Sequence, residues 1–414
     1  MTDNVSNSER SEPAPHLSTQ HSALSTSLRQ HLADWGLRRF DSDAEYFQWQ
    51  RETLSAADLT RLHQAVRDKH APAGGAKADT AFYDLTATAR FVPPLYSQRY
   101  DYYLEIGPRV AERLAGATQV LDVGCGIGML TTWYARQWPT VRFVGVDRSS
   151  ASIALATERA KAMGLGNVRF EGVDLDRDSL TDSFDVIVAT HALVQSEQEP
   201  GIPSLNWQTF ERARDPQVQT EFERRTGIGA RVDRLVKALA SGGRLILFEK
   251  TRQLARRVPF QRALAGRGLA LLEQPELIRY QVVEEIADDG PFYTVGAKAT
   301  APVAWDESPE DDLPVELDLT SLSQQTGEGE APLYETHAAS AQQQWVRLPA
   351  KQVVAAFTRE GTGGRQLHAE YGTSSGLTYL YVANTFDQRQ LVLIEPARAA
   401  VLEGYYAEIE RSGG

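Results

Sequence analysis

The chain has 414 residues, 42% of them hydrophobic, and a formal net charge of −12 at pH 7. That length suits two or three units with a sizeable core, and the negative excess repels phosphate backbones, so no nucleic-acid partner is expected. A single cysteine, Cys125, excludes intrachain disulfides and cysteine-rich metal sites; no run of about 18 apolar residues occurs, so no membrane span is expected and the protein is expected to be cytoplasmic.

Residues 1–27 are rich in Ser, Asn, Pro and His and lack the apolar centre of a signal peptide, so a disordered tail is expected. Residues 28–79 read as an N-terminal helical segment and linker. One helix begins over Leu28 to Leu37 and a second suits Asp43 to Leu54. Ser55 with Asp58 three residues on resembles a capping box for a third. Ala-Pro-Ala-Gly-Gly then opens a linker over 71–79. Residues 80–118 are aromatic-rich, with Phe82, Tyr83, Phe91, Tyr96, Tyr100, Tyr102 and Tyr103, and Pro93-Pro94 is expected to break any helix there.

Residues 120–131, Val-Leu-Asp-Val-Gly-Cys-Gly-Ile-Gly-Met-Leu-Thr, read as a buried strand that breaks into glycine and restarts as a helix over Met129 to Trp138. Gly124, Gly126 and Gly128 permit a tight turn and let a ligand approach the backbone. The first amides of the helix face that turn. A dinucleotide fingerprint, Gly-x-Gly-x-x-Gly, would need glycine where Met129 or Thr131 stands, and so fails in both registers. Asp122, at the mouth of the turn, suits a ligand bearing an ammonium group better than one bearing a pyrophosphate.

Val141 to Asp147 is a second strand with an acidic tip. An α/β nucleotide site places there the carboxylate that accepts the ribose hydroxyls. Capping the helix over Ser149 to Met163 is a compatible role for Asp147. A third short strand from Val168 ends at Asp174 and Leu175, with Asp176 and Asp178 close enough to allow a shift of register. Ser183 to His191 is a continuous apolar run, as in a parallel strand buried on both faces, and its carboxyl end opens onto the ligand crevice of a doubly wound sheet. An insertion, Gln195 to Arg231, carries Pro200-Gly201, Pro203, Trp207 and a charged helix from Gln217 to Arg225. A helix around Val232 to Ala240, ended by Gly242-Gly243, leads to a fifth strand, Gly243 to Glu249. A helix over Val258 to Leu264 and a final antiparallel pair, Leu269 to Val283 with Phe292 to Ala299, follow.

Residues 301–332 form an acidic linker, with Asp306, Glu307, Glu310, Asp311, Asp312, Glu316 and Asp318 and no base between them. Residues 333–414 suit a small α+β accessory domain. Trp345 to Thr358 holds a strand or helix. Leu367 to Tyr371 and Leu377 to Asn384 are strands joined by a turn at 372–376, Gln390 to Ile394 is another, and Pro396 starts a terminal helix. Tyr379, Tyr381 and Phe386 read as core and cross-strand packing, with a binding surface as the alternative. Mediating dimers, recognising an acceptor and covering a sheet edge are all open roles for this domain.

Residues 80–300 closely resemble the class I S-adenosylmethionine-dependent methyltransferases, whose first motif is matched by Asp122 to Gly128. The resemblance implies a Rossmann-like doubly wound α/β sheet with helices on both faces, here with an N-terminal helical cap and the α+β domain. It implies S-adenosylmethionine as cofactor, held by Asp122, Gly124, Gly126, Gly128, Asp147, Arg148, Asp174, Leu175 and Thr190. Asp174 would accept from the adenine amino group and Leu175 pack on the ring. Phe82 to Leu85 is similar to the family's aromatic lid, and the insertion falls where acceptor recognition is common.

The expected acceptor is a small molecule methylated on O, N or C. A protein methyltransferase with C-terminal docking, and a non-catalytic cofactor-binding scaffold, are the alternatives. Ala189-Thr190-His191-Ala192 stands where Asn-Pro-Pro-Tyr would mark methylation of base or glutamine amino groups. His191 is the candidate general base for a hydroxyl acceptor, contact with the cofactor or packing beneath it being the plainer reading. Tyr96 and Tyr100 are further candidates for acceptor contacts. Cys125 reads as packing, and no metal site is expected.

Overall fold

Apolar strands that end in glycine or acid, each followed by a helix, generate a parallel α/β repeat. The computed structural model describes residues 19–71, 75–194, 200–297, 303–309, 317–327 and 331–412. It divides into two units: residues up to 173 with 279–287, and 174–278 with 288 onward.

The first unit runs through α1 (Thr19–Asp34), α2 (Asp43–Thr53), α3 (Ala56–His70), α4 (Gly75–Thr86), α5 (Val92–Tyr96), α6 (Tyr100–Glu112), β1 (Gln119–Val123), α7 (Met129–Gln137), β2 (Arg142–Asp147), α8 (Ser150–Ala162) and β3 (Val168–Gly172). β2 pairs in parallel with β1 on one side and β3 on the other. The register sets Asp122 opposite Gly145 and Asp147 opposite Gly172.

Three N-terminal expectations change. α1 starts at Thr19, inside the segment expected to be a tail, because Leu24, Leu28 and Leu32 recur at helical spacing and are buried; residues 1–18 lie outside the described residues. α4 starts at Gly75, inside the expected 71–79 linker, of which 72–74 lie outside the described residues. Pro93 and Pro94 begin α5 instead of breaking a helix, since the first turn has no use for their missing N–H groups. The capping box forms as read: Ser55 Oγ accepts from Asp58 N, and Asp58 Oδ2 from Ser55 N, each at 3.2 Å. α1 packs on α6 and α7. Gly107 of α6 admits Leu28, which would stand 2.7 Å from an added Cβ, and His31 Nε2 lies 2.9 Å from the Met129 carbonyl.

The second unit contains β4 (Phe184–Thr190), α9 (Pro216–Thr226), α10 (Ile228–Ala238), β5 (Leu239–Phe248), α11 (Leu254–Ala265), β6 (Ala270–Leu271), β7 (Glu276–Val282), β8 (Glu285–Gly296), α12 (Leu319–Leu322), β9 (Tyr334–His337), α13 (Ala338–Arg347), β10 (Gln352–Glu360), β11 (Gln366–Ser374), β12 (Leu377–Asn384), β13 (Arg389–Ile394) and α14 (Ala399–Ser412); the tip of the β7–β8 hairpin counts with the first unit. β4 is parallel to β5, β8 is antiparallel to β5, and β6 and β7 pair with β8, giving three strands where a pair was expected. Gly242 and Gly243 do not end α10. They lie inside β5, where its register with β4 shifts between Phe184 and Val186, and a Cβ on Gly243 would stand 2.9 Å from Asp185 O.

A second, antiparallel sheet has the order β10-β11-β12-β13-β9. Side-chain alternation splits β12 between two cores. Tyr379 and Tyr381 pack with Ala341 and Leu348 on the α13 side, and Leu380 packs with Leu402 and Tyr406 of α14 on the other. Both tyrosines are fully buried, as core packing requires. The beginning of the expected acidic linker is also packed: Val303 bridges Leu271, Trp305 meets Tyr293, and Glu307 pairs with Arg262 of α11.

Candidate active site

The glycine turn is built in the first unit. Gly124, Gly126 and Gly128 have φ of 68°, 53° and 72°, in the left-handed region. The amides of Gly124 and Cys125 both donate to Val146 O, at 2.8 and 3.1 Å, tying the turn to β2. A Cβ on Gly128 would meet Phe170 at 2.7 Å and Ala156 at 2.9 Å, whereas one on Gly126 would meet nothing within 4 Å. The turn is thus packed on its inner side and open at its middle.

Asp147 stands at the tip of β2. Its Oδ2 accepts from Gly126 N at 3.0 Å and its Oδ1 from Ser149 N at 2.8 Å. Burial pushes its pKa up against those amide bonds. The Arg148 amide is a third donor to this carboxylate, and a carboxylate has about four lone-pair directions in all. Ser149, not Asp147, caps α8: its Oγ accepts from Ser152 N at 3.0 Å and donates to Asp84 Oδ1 at 2.7 Å.

Asp122 does not lie at the mouth of the turn. It is buried within β1 and accepts from Thr131 Oγ1 at 2.5 Å. Burial raises its pKa to about 7. It staples the end of β1 to the first turn of α7. Arg148 is paired with Asp79 of α4, which also holds Lys69 at 3.2 Å. Burial pushes the Cys125 thiol well up, so it stays protonated and packs. Burial also raises Tyr96, which feels the charge of Asp147. Tyr100 opens α6.

The second unit carries the other expected residues. Asp174 lies past the end of β3 in a tight turn: its Oδ1 accepts from Asp176 N at 3.0 Å and its amide donates to Asp178 Oδ2 at 2.8 Å. Leu175 is buried beside it in sequence. The neighbouring Asp176 is engaged by Arg231 through two bonds of 2.7 and 2.8 Å. Thr190 ends β4 opposite Phe248. His191 has φ 55°, donates its amide to Phe248 O at 2.8 Å, and sets Nε2 3.0 Å from Asp289 Oδ2. The two can form an ion pair when the ring is protonated.

Two carboxylates of this region were not singled out from the sequence. Asp289 comes from β8 and reaches His191 only through strand pairing. Glu249, fully buried just past β5, accepts the amides of Ala192 and Leu193 at 2.9 Å and of Val194 at 3.0 Å. Burial raises it to about 7 against those three bonds. It holds the chain immediately after His191. Its one sequence signal is its place at the tip of the fifth strand.

The insertion is seated on the antiparallel sheet. Ser204 N donates to Thr385 O at 2.8 Å. The Trp207 ring stacks on His368 with centroids 3.6 Å apart and planes 2° from parallel. Arg389 Nη2 donates to the carbonyls of Trp207 and Thr209 at 3.0 and 2.7 Å. Arg212 pairs with Asp387, whose Oδ2 also accepts from Ala255 N, at the start of α11, at 2.8 Å.

Among the described residues no cluster of His, Cys, Asp and Glu could hold a metal ion, and no helix is long and apolar enough to cross a membrane. Residues 114–247 match the family described as a methyltransferase domain. Together with the glycine turn and its acidic strand tips, the match makes this stretch a class I S-adenosylmethionine-dependent methyltransferase domain.

Malonyl-[acyl-carrier protein] O-methyltransferase of Paenibacillus sp. (strain JDR-2) is 35% identical over 74 residues, 17% of this chain and 27% of the relative. Trans-aconitate 2-methyltransferase of Deinococcus radiodurans is 34% identical over 90 residues, 22% of this chain and 33% of the relative. The crystal structure of magnesium protoporphyrin IX methyltransferase from Synechocystis PCC 6803 with bound S-adenosylmethionine is 16% identical, with a TM-score of 0.33, over 48% of this chain and 81% of that one. The chain spans about a third or less of the length of these two curated relatives.

Proposed function

We propose that the protein transfers the methyl group of S-adenosylmethionine to O, N or C of a small-molecule acceptor. The observation that carries this reading is the pairing of Gly126 with Asp147. A turn open at its middle lies within one hydrogen bond of a strand-tip carboxylate. That donor set fits a ribose, and the left-handed glycines leave room for the rest of the cofactor. The cofactor supplies an electrophilic methyl group that needs alignment and exclusion of water more than a strong field.

The chain's own residues would bind and orient. Asp147 accepts the ribose hydroxyls, and Asp174 and Leu175 serve the adenine. Asp122, through Thr131, keeps the turn in shape. For a hydroxyl acceptor His191 takes the proton, with the Asp289 carboxylate 3.0 Å from Nε2 to balance the charge it gains. Both curated relatives are named for methylating acids, one a small molecule and the other carried on a protein. The small-molecule reading is favoured by the negative charge of the chain and by the commitment of the antiparallel sheet to the 200–212 segment.

Calorimetric titration with S-adenosylmethionine and S-adenosylhomocysteine tests the reading. The wild type is expected to bind in the micromolar range, about −8 kcal/mol. Asp147→Ala is expected to bind about ten- to hundredfold more weakly. No binding by the wild type would overturn the function, and unchanged affinity in the variant would overturn the ribose assignment.

A further inference from the structure

His191 keeps a backbone conformation that a side chain of its size rarely adopts, with φ of 55°. Such strain persists where the surrounding groups hold the chain in place. Glu249 takes the amides of the next three residues, Ala192, Leu193 and Val194. Arg231 of α10 takes the carbonyl of the middle one: its Nη1 donates to Leu193 O at 2.8 Å. Leu193 and Arg231 are both buried.

The same guanidinium grips the turn that follows β3. Its Nε and Nη2 donate to the two carboxylate oxygens of Asp176 at 2.7 and 2.8 Å. The Asp176 amide in turn donates to Asp174 Oδ1 at 3.0 Å, and the Asp178 amide closes the turn on Asp174 O at 2.7 Å. Gly227, just before α10, leaves room for the pair. Its φ is 73°, and an added Cβ would stand 3.3 Å from Asp176 Oδ1 and 3.4 Å from Arg231 Nη2. A continuous series of hydrogen bonds therefore runs from the Asp174 carboxylate through Asp176, Arg231 and Leu193 to Glu249. Every member belongs to the second unit.

Under the methyltransferase reading the two ends of this series meet different reactants. Asp174 meets the adenine, and His191 meets the acceptor. The donors of a guanidinium lie in one rigid plane, so a carboxylate that settles against one edge also fixes the donor on another. A lysine ammonium, a point charge on a flexible stem, has no such lever.

We propose that Arg231 is a positioning residue through which cofactor bound at the adenine end steadies residues 191–194 for the acceptor. The proposal rests on the methyltransferase reading and adds to it the residue that couples its two halves.

The test follows hydrogen exchange at the amides of residues 191–194 in the full chain, with and without S-adenosylhomocysteine at saturation, its binding checked by calorimetry. In the wild type the ligand is expected to slow exchange there about tenfold, a coupling of the size usual between two sites. Arg231→Met should lose that slowing while still binding the ligand. Asp176→Asn, changed at the more open end of the pair, where the side chain is 38% exposed against 9% for Arg231, should lose most of it. A purely structural arginine would speed exchange equally with and without ligand and leave the ratio intact. Slowing as large in Arg231→Met as in the wild type, or none in a wild type that binds the ligand, would overturn the proposal. If Arg231→Met does not fold, undiminished slowing in Asp176→Asn does the same. A wild type that binds no S-adenosylhomocysteine removes the methyltransferase reading itself, a separate failure.

Discussion

Gly128 and Asp122 show two ways in which one position controls the turn. At Gly128 an added Cβ would meet the Phe170 ring and Ala156 within 3 Å, on a backbone with φ of 72°. Gly128→Ala is expected to lose about 1–3 kcal/mol of stability and most cofactor affinity, read by thermal unfolding and calorimetry. Asp122 and Glu249 act through protons. Each rises to about 7 on burial, so the folded state binds protons that the unfolded state has released. Their stabilising contribution is full below about pH 4 and is lost as the pH climbs through about 7. For Asp122 the rise from 3.8 to about 7 corresponds to about 4 kcal/mol. His31 works the other way. Burial lowers it to about 4, so its contribution is full above about pH 6.5 and fades as the pH falls. The two carboxyls outweigh one imidazole. The ligand-free protein should therefore melt at a lower temperature at about pH 7.5 than at about pH 5, and Asp122→Asn, which keeps an acceptor for Thr131, should flatten the difference. A melting temperature that rises over that interval would contradict the assignment.

Among the elements, those set by local chemistry were legible in the sequence and those set by distant partners were not. The capping box of α3 involves four consecutive residues, and it forms as read. Ser55→Ala is expected to cost about 1 kcal/mol in a denaturant titration. β1, β2 and β4 were equally plain, because short, largely apolar runs of this kind have few other uses. Gly242-Gly243 misled because a glycine pair serves a helix end and a strand irregularity alike, and the choice lay with β4, more than fifty residues away. The part of α1 before Leu28 was obscured by the polar composition around Leu24. In the site, the glycines and Asp147 were readable from spacing. Asp122 was placed at the mouth of the turn because an acid beside glycines reads as a ligand contact; β1 is buried on both faces, and the hydroxyl that engages Asp122, Thr131 Oγ1, lies nine residues on. Asp289 and the amide nest around Glu249 depend on pairings that no local pattern announces.

At the scale of the whole molecule, the antiparallel sheet is part of the body of the second unit and not an appendage. Arg212, its side chain fully enclosed, relies on Asp387, and Asp387 also receives the amide that opens α11. Asp387→Ala leaves a buried guanidinium without this carboxylate and is expected to cost about 3–5 kcal/mol in thermal or denaturant unfolding. The double variant Arg212→Met, Asp387→Leu should recover much of that loss, since apolar side chains of similar volume tolerate the site. Cutting the chain at 330 would uncover Trp207 and strand Arg212, so lost activity in such a fragment would report broken packing and not a missing docking module.

The stack of Trp207 on His368 and the grip of Arg389 on the carbonyls beside it make residues 200–212 and 366–389 a single heritable trait. Drift in one segment is filtered by the other. A recombinant gene that takes its 200–212 stretch from a cousin must import the matching strands as well, or the hybrid inherits a loop that has nowhere to sit.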